Sequence, residues 1–467
     1  MARKYSRHDE GIIMKYYSRS NNRSKNLRPP DLYEFFVDNF WFKAANLENQ
    51  KINEPLRGRH NADVVIVGGG FTGLSAAFHI RGKFPEKQIV LLEGARCGYG
   101  ASGRNGGFCI ATSLLDWEQS DPELRQQSLE VSSYGLAFIK KMVTEYGIDC
   151  DFNESGMLSV AMNSNQTREL EEYQAELEMF GLKSSLIRGE ELEKEIKSPL
   201  FVAGLNETYG AILNPAKLAR EMKRVVEEIG VEIKEKTVVT RINPGKVNHL
   251  DTELGEIRSP IVVLAMNAYA HKLGFFKNRV FPVSVFQIAT EPLSKAQWES
   301  IGWQNRQGLS DMRSLFSYSA PTADGRIVMG GSDFTYYDQD ALSSGNDKTV
   351  TQQIINNLFS FFPQLKNLKI DHAWGGTTAY TLKRIPSVGI LGDEENIYYG
   401  TGFNEGVPST QTAGRIIADL MAGEANNFTN HFIVNRKIPY AGPKNLRGVF
   451  GRGVKWLMKK FDYSPIH

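Results

Sequence analysis

Ala62-Asp-Val-Val-Ile-Val-Gly-Gly-Gly-Phe-Thr-Gly-Leu-Ser-Ala-Ala77 is the stretch whose reading decides the fold. The apolar run Val64 to Val67 predicts a strand buried on both faces. Glycines 68, 70 and 73 follow, and then an Ala-rich helical segment. This is the strand, tight turn and helix of a dinucleotide-binding βαβ unit. Gly68 permits the turn, Gly70 lets the backbone approach a pyrophosphate, and Gly73 lets the helix pack close to the strand. Phe71 and Thr72 open the helix, whose positive N-terminus would receive the phosphates. A second apolar run, Gln88-Ile-Val-Leu-Leu-Glu93, ends in an acid placed to accept hydrogen bonds from adenosine ribose hydroxyls.

The rest of the chain bounds this reading. Its 467 residues suit two or three domains. A net charge of +2 argues against a general nucleic-acid binder, although both ends are basic, from Arg3 to Arg28 and from Lys444 to Lys460. Cys97, Cys109 and Cys150 are too few for a disulfide framework and lack metal-ligand spacing, so no metal is expected. The first thirty residues carry no apolar core of the signal-peptide kind, and no run is long enough to span a bilayer. A cytoplasmic protein is the expectation.

Along the chain the strand class alternates. Residues 1–60 read as an extension, with an aromatic segment from Asp31 to Trp41 that suits an arm packed on the body. The glycine-dense Cys97 to Phe108 cannot be regular and reads as a loop whose amides face a ligand. Asp121 opens a long amphipathic helix reaching about Gly147. Gly156 to Met162 is a strand, and helices cover 166–180 and 190–196. Asn214-Pro215 caps another helix. Val231 to Ile242 and Ile261 to Tyr269 return to strands of the parallel type. Phe281 to Glu291, Arg313 to Tyr318 and Arg326 to Gly331 alternate as antiparallel strands. Thr349 to Phe361 is helical. Asn396 to Gly402 is a last strand, entering a glycine turn before a helix from Val407 to Met421.

The fold class is therefore α/β with an α+β second part. A Rossmann-like domain (61–150, 206–280 and 373–425) is interrupted by an antiparallel-sheet substrate domain (151–205 and 281–372). A basic tail covers 426–467.

Several segments together resemble the FAD-dependent amine and amino-acid oxidoreductases of the D-amino-acid oxidase type, nearest the gamma-glutamylputrescine oxidase-like branch. They are the fingerprint at 65–77, Gly100-Ala-Ser-Gly-Arg-Asn-Gly-Gly107, Val262 to Tyr269, Pro282 to Leu293, Asp324 to Gly331, Trp374-Gly-Gly376, Arg384 to Gly389 and Tyr398 to Val407. The resemblance implies FAD, held by Ala101, Ser102, Arg104, Asn105, Gly106 and Gly107, by Val238 and Ala265, and by Gly402, Phe403, Asn404 and Gly406, besides the fingerprint and Glu93. It also implies oxidation of a C–N bond of a small amine or amino acid by hydride transfer to flavin N5, followed by hydrolysis of the imine. Oxygen or a quinone would be the electron acceptor. Substrate-contact candidates are Gln287, Tyr380 and Arg384. Arg384 suits a carboxylate or phosphonate.

Relatives that link FAD through Cys carry it near the segment matching Thr377 to Thr381, where this chain has none, so noncovalent FAD is expected. Glu405 departs from the Gly-His-Gly of many relatives; it either turns away from the flavin or binds a cationic amine. The basic amphipathic tail admits two readings, peripheral contact at the inner membrane face and packing on its own protein. Two rival classes remain: an NAD-dependent dehydrogenase, and a noncatalytic or RNA-modifying flavoprotein of the same fold.

Overall fold

A computed structural model describes residues 39–112, 121–337, 340, 342 and 345–462. The N-terminal basic residues and the start of the aromatic segment lie outside the described residues. Two large sheets organise the rest. The first has six strands, in the order Ser387–Leu391, Ile397–Thr401, Ile261–Leu264, Val64–Val67, Ile89–Leu92 and Glu232–Lys234. All neighbours are parallel except the first pair. Val64 to Val67 and Ile89 to Leu92 are buried throughout: Val64, Ile66, Ile89 and Leu91 pack with helix residues such as Leu74, Met222 and Ile416, while Val65, Val67, Val90 and Leu92 pack with Val239, Leu250 and Ile257 of a smaller sheet on the other face.

The second sheet has eight strands, in the order Ile370–Thr381, Val280–Thr290, Ile327–Gly331, Ser317–Pro321, Gly308–Asp311, Met157–Ala161, Ala203–Glu207 and Ser184–Arg188. It is antiparallel except where Gly308–Asp311 runs parallel to Met157–Ala161.

Local chemistry sets the helix ends. Asp121 accepts the Glu123 N–H at 2.9 Å to start Pro122–Tyr146, and Gly147, at φ 62°, ends it. Asn214 accepts the N–H groups of Ala216 and Lys217, with Pro215 at the first turn of Pro215–Glu228. The helix Phe40–Ala44 seats Phe40, Trp41 and Phe42 in the core, and Trp41 Nε1 donates to the Asn105 carbonyl at 2.8 Å. This part of the aromatic arm packs on the body.

Four expectations differ from the structure. Val239–Asn243 joins no parallel sheet; it pairs antiparallel with Asn248–Thr252 in a separate four-stranded sheet that also takes Gly58–Asn61 from the expected extension. It is mostly exposed, with only Val239 buried and a register shift that leaves both Thr240 and Arg241 outward, a wet edge that an apolar count overlooks. The strand at 261 stops at Leu264, because Asn267 takes φ 42° and opens a 3-10 turn.

Residues 373–381, expected with the nucleotide part, instead pair along Val280–Thr290 in the eight-stranded sheet. Residues 313–316 are a turn, not a strand. The Asp311 carboxylate accepts the backbone N–H groups of Arg313 and Ser317 and pairs with the Arg313 guanidinium at 2.7 Å.

Three helices meet through glycine. A Cβ on Gly414 of Val407–Met421 would collide with the backbone of Ser75 and Ala76 in Phe71–Lys83. One on Gly135 of Pro122–Tyr146 would collide with the Pro408 carbonyl. Gly414→Val is expected to destabilise the protein by about 1–3 kcal/mol through overpacking. A thermal melt against the unaltered protein, read by circular dichroism, checks it.

Candidate active site

The C-terminal ends of the parallel strands open onto a cleft of about 1090 Å³ that is lined from both large sheets. Gly68, Gly70, Phe71, Thr72, Glu93, Val238 and Ala265 border one end of it. Gly68 has φ 110°, and a Cβ there would stand 2.6 Å from the Ala265 carbonyl oxygen. Gly73 lies behind this surface; a Cβ on it would overlap the Gly68 carbonyl. Its task is to bring helix and strand together.

The Glu93 carboxylate accepts the N–H groups of Gly69 at 2.7 Å and Ala95 at 2.8 Å. Burial raises its pKa from 4.5 to about 7, and nearby Glu235 pushes the same way.

The glycine-dense loop supplies Ala101, Ser102, Arg104, Asn105 and Gly106 to the wall. Ser102 Oγ accepts the Phe71 N–H at 3.0 Å, fixing the loop against the helix start. Gly107 does not border the cleft; its φ of 78° turns the chain against Leu213. Arg104 is buried, with its guanidinium 4.8 Å from the Tyr99 ring and 5.1 Å from Phe42. Nε donates to the Tyr99 carbonyl and Nη1 to that of Gly375, while Nη2 has no partner among the described residues. Gln287 Nε2 donates to Tyr318 Oη at 3.2 Å, and its Oε1 is likewise unsatisfied. Buried polar atoms left open on a cleft wall fit a ligand with polar edges of its own.

Phe403, Asn404 and Gly406 border the same end of the cleft as Thr377 and Thr378. Gly402 sits behind them at φ 80°. Asn267 clamps this last turn. Its Oδ1 accepts from Gly402 N at 3.0 Å and Phe403 N at 3.2 Å, and Nδ2 donates to the Phe403 carbonyl. Thr378 Oγ1 donates to that carbonyl too.

Tyr380 and Arg384 border the cleft, but Arg384 is ion-paired with Glu405, which also receives Asn404 Nδ2 at 3.2 Å. The Arg384 charge is thus met from within the chain. Burial raises the Tyr380 pKa, and Glu405 raises it further.

Sequence reasoning missed Asn267, Tyr318, Phe108 and Glu207, all on the cleft wall. Phe108 closes the glycine-dense loop, Asn267 lies within Val262 to Tyr269 and Tyr318 ends the strand expected from Arg313, but none was given a role, and Glu207 left no trace.

The tail helix Lys444–Asp462 reaches the cleft with Gly451 and Met458. Arg447 pairs with Asp340 and Lys455 with Asp333, both at 2.6 Å, so two of its cations are engaged by the protein's own body. Among the described residues no helix is long and apolar enough to cross a membrane.

The profile described as DAO, FAD dependent oxidoreductase, matches residues 63–420. The chain belongs to this family. Gamma-glutamylputrescine oxidoreductase of Escherichia coli (strain K12) is 32% identical to it over 420 residues, covering 88% of this chain and 95% of that protein. The crystal structure of glycine oxidase from Geobacillus kaustophilus superposes with a TM-score of 0.68 at 20% identity, over 79% of this chain and 96% of that one. L-Amino acid deaminase from Proteus myxofaciens gives 0.69 at 17% identity, over 82% and 95%.

This DAO-family chain is therefore an FAD-dependent oxidoreductase of the amine and amino-acid class. The glycine cradle and the open polar atom of Arg104 fit that cofactor.

Gly73→Val is expected to yield protein that retains little flavin, read as the ratio of visible flavin absorbance to protein. In the apoprotein the raised Glu93 pKa stabilises the fold fully below pH 4.5, and that contribution is lost as pH rises to about 7. Glu93→Gln should remove this part of the slope when urea midpoints are compared across that range.

Proposed function

We propose that the chain oxidises the C–N bond of a small amine or amino acid to an imine, which water hydrolyses to a carbonyl compound and an amine or ammonia. The observation that carries this reading is the hydrogen-bonded pair of buried Gln287 and half-buried Tyr318, on the sheet wall of the cleft that Arg104 and the glycine cradle also border. FAD, when bound, supplies the two-electron acceptor. The chain's own groups orient and desolvate. Gln287 and Tyr318 present a carbonyl oxygen and a phenol to the substrate nitrogen. Burial raises the Tyr318 pKa, so the phenol stays a neutral hydrogen-bond partner at physiological pH.

The family relationship to gamma-glutamylputrescine oxidoreductase favours an amine over a nucleotide-linked substrate. It sets aside the NAD-dependent alternative, because the matching family is FAD-dependent. In the same reading residues 61–150 and 208–279, with the chain after Thr381, form the cofactor-binding part, and the eight-stranded sheet forms the substrate part. The acceptor is oxygen or a quinone. Leu446, Val449 and Trp456 on the exposed side of the tail helix support a peripheral contact for delivery to a quinone.

Neither cysteine nor histidine borders the cleft among the described residues, which favours noncovalent FAD. Acid precipitation should then leave a colourless pellet and release the flavin into the supernatant. Under anaerobic conditions, members of a panel of secondary amines, amino acids, polyamines and aminophosphonates should bleach the bound flavin. A panel that leaves it oxidised throughout would overturn the reading. Peroxide formation in air then separates oxidase from dehydrogenase.

A further inference from the structure

On the cleft-facing side of the eight-stranded sheet, a line of polar residues continues past Gln287 and Tyr318 to side chains that the chemistry above does not use. Strand register sets Gln287 opposite Gly330, Gly330 opposite Tyr318, Tyr318 opposite Ser310, and Ser310 opposite Ser159. Directly opposed residues share a face, so these five form one row across five strands. Gln287, Tyr318, Ser310 and Ser159 all border the cleft. At a strand spacing of ~4.8 Å, Ser159 lies about 10 Å from Tyr318 along the row and about 19 Å from Gln287.

The row ends at a built cluster. Glu207, 4% exposed, accepts hydrogen bonds from Thr112 Oγ1 at 3.0 Å, Ser159 Oγ at 3.3 Å and Tyr173 Oη at 3.1 Å. All four residues border the cleft. Between this cluster and Tyr318, Phe108, Ile110 and Met157 border the cleft around Ser310 and make the wall mainly apolar, with Phe108 edge-on to Tyr318 at 5.4 Å.

We propose that Glu207, Thr112, Ser159 and Tyr173 form a distal ammonium subsite. The substrate is then an elongated amine with a second cationic group about 10–15 Å from its reacting nitrogen. This rests on the amine-oxidising reading above. An ammonium is a three-donor group. The carboxylate meets one N–H with a charge-assisted bond, and the hydroxyl oxygens, while donating to Glu207, can accept the others. The apolar stretch between the two polar ends suits a methylene chain. At ~1.2 Å per bond in an extended chain, the span corresponds to about eight to twelve bonds.

The test uses the purified, flavin-containing enzyme with α,ω-diamines of increasing length and n-alkylamines of matching length, without oxygen. Dissociation constants are read from perturbation of the flavin spectrum, and oxidation from bleaching. Diamines in the stated length range should bind at least tenfold more tightly than the matching monoamines. That ratio should fall close to one in Glu207→Gln and recover in part in Glu207→Asp. Tyr173→Phe, on a half-exposed helical position, should lower the ratio as well, and decides the matter if the Glu207 variants do not fold.

A ratio near one in the unaltered enzyme, or one that these variants leave untouched, overturns the subsite. Monoamine bleaching with such a ratio would do so while leaving amine oxidation intact. Diamine binding that depends on Glu207 without any bleaching would sustain the subsite and overturn the amine-oxidising reading.

Discussion

Backbone approaching backbone, with no Cβ between, is the constraint on which the rest of this molecule depends. Gly73 lies against the Gly68 carbonyl and Gly68 against that of Ala265, so the first helix, first strand and third parallel strand meet at van der Waals distance. Gly414 and Gly135 extend the same contact to the helices Val407–Met421 and Pro122–Tyr146. A methyl group at any of these places would separate the partners, and the hydrogen bonds that finish the site span those partners. Phe71 N–H reaches Ser102 across one such boundary, and Asn267 reaches Gly402 and Phe403 across another. Packing of this kind is bistable rather than elastic, so cradle and last turn are set together or not at all.

What the sequence disclosed followed the range of each signal. Val64–Val67, the capped helices at 122 and 215, and the glycine turn before Val407 were legible because their causes lie within a few residues: an apolar run, a side-chain cap, a positive φ. The partner of a strand is not written locally. Val239–Asn243 resembles its parallel neighbours in content, yet its outward-facing Thr240 and Arg241 suit the smaller sheet. Residues 373–381 were expected with the nucleotide part for the same reason; only the eleven-position pairing of Ile370–Thr381 with Val280–Thr290 reveals their place. The cleft residues that escaped notice, Asn267, Tyr318 and Glu207, lie on three separate strands or turns. They become neighbours of one cavity only through sheet order.

Charges around the cleft are largely met in pairs supplied by the chain. Asp311 holds Arg313, Asp340 holds Arg447, and Asp333 holds Lys455. Pairing keeps these ions tolerable near a poorly hydrated space, where an unpaired charge would carry a large desolvation cost. It also leaves the field at the cleft wall to a few groups, chief among them the buried Arg104 and the N-terminus of the helix Val407–Met421.

The same logic resolves the most awkward residue in the sequence. A carboxylate at Glu405, in the turn before that helix, opposes the positive potential of the helix N-terminus. Arg384 removes the conflict. At φ 58° its backbone occupies a conformation uncommon for a side-chain-bearing residue, and its guanidinium meets Glu405. The pair is nearly neutral when seen from the cleft, so Glu405 takes little from the positive potential of Arg104 and the helix N-terminus. An arginine that suggested a substrate clamp and a glutamate that suggested an anomaly are two halves of one arrangement. Loss of either half would therefore alter the field at the last turn more than it would alter any single contact with substrate.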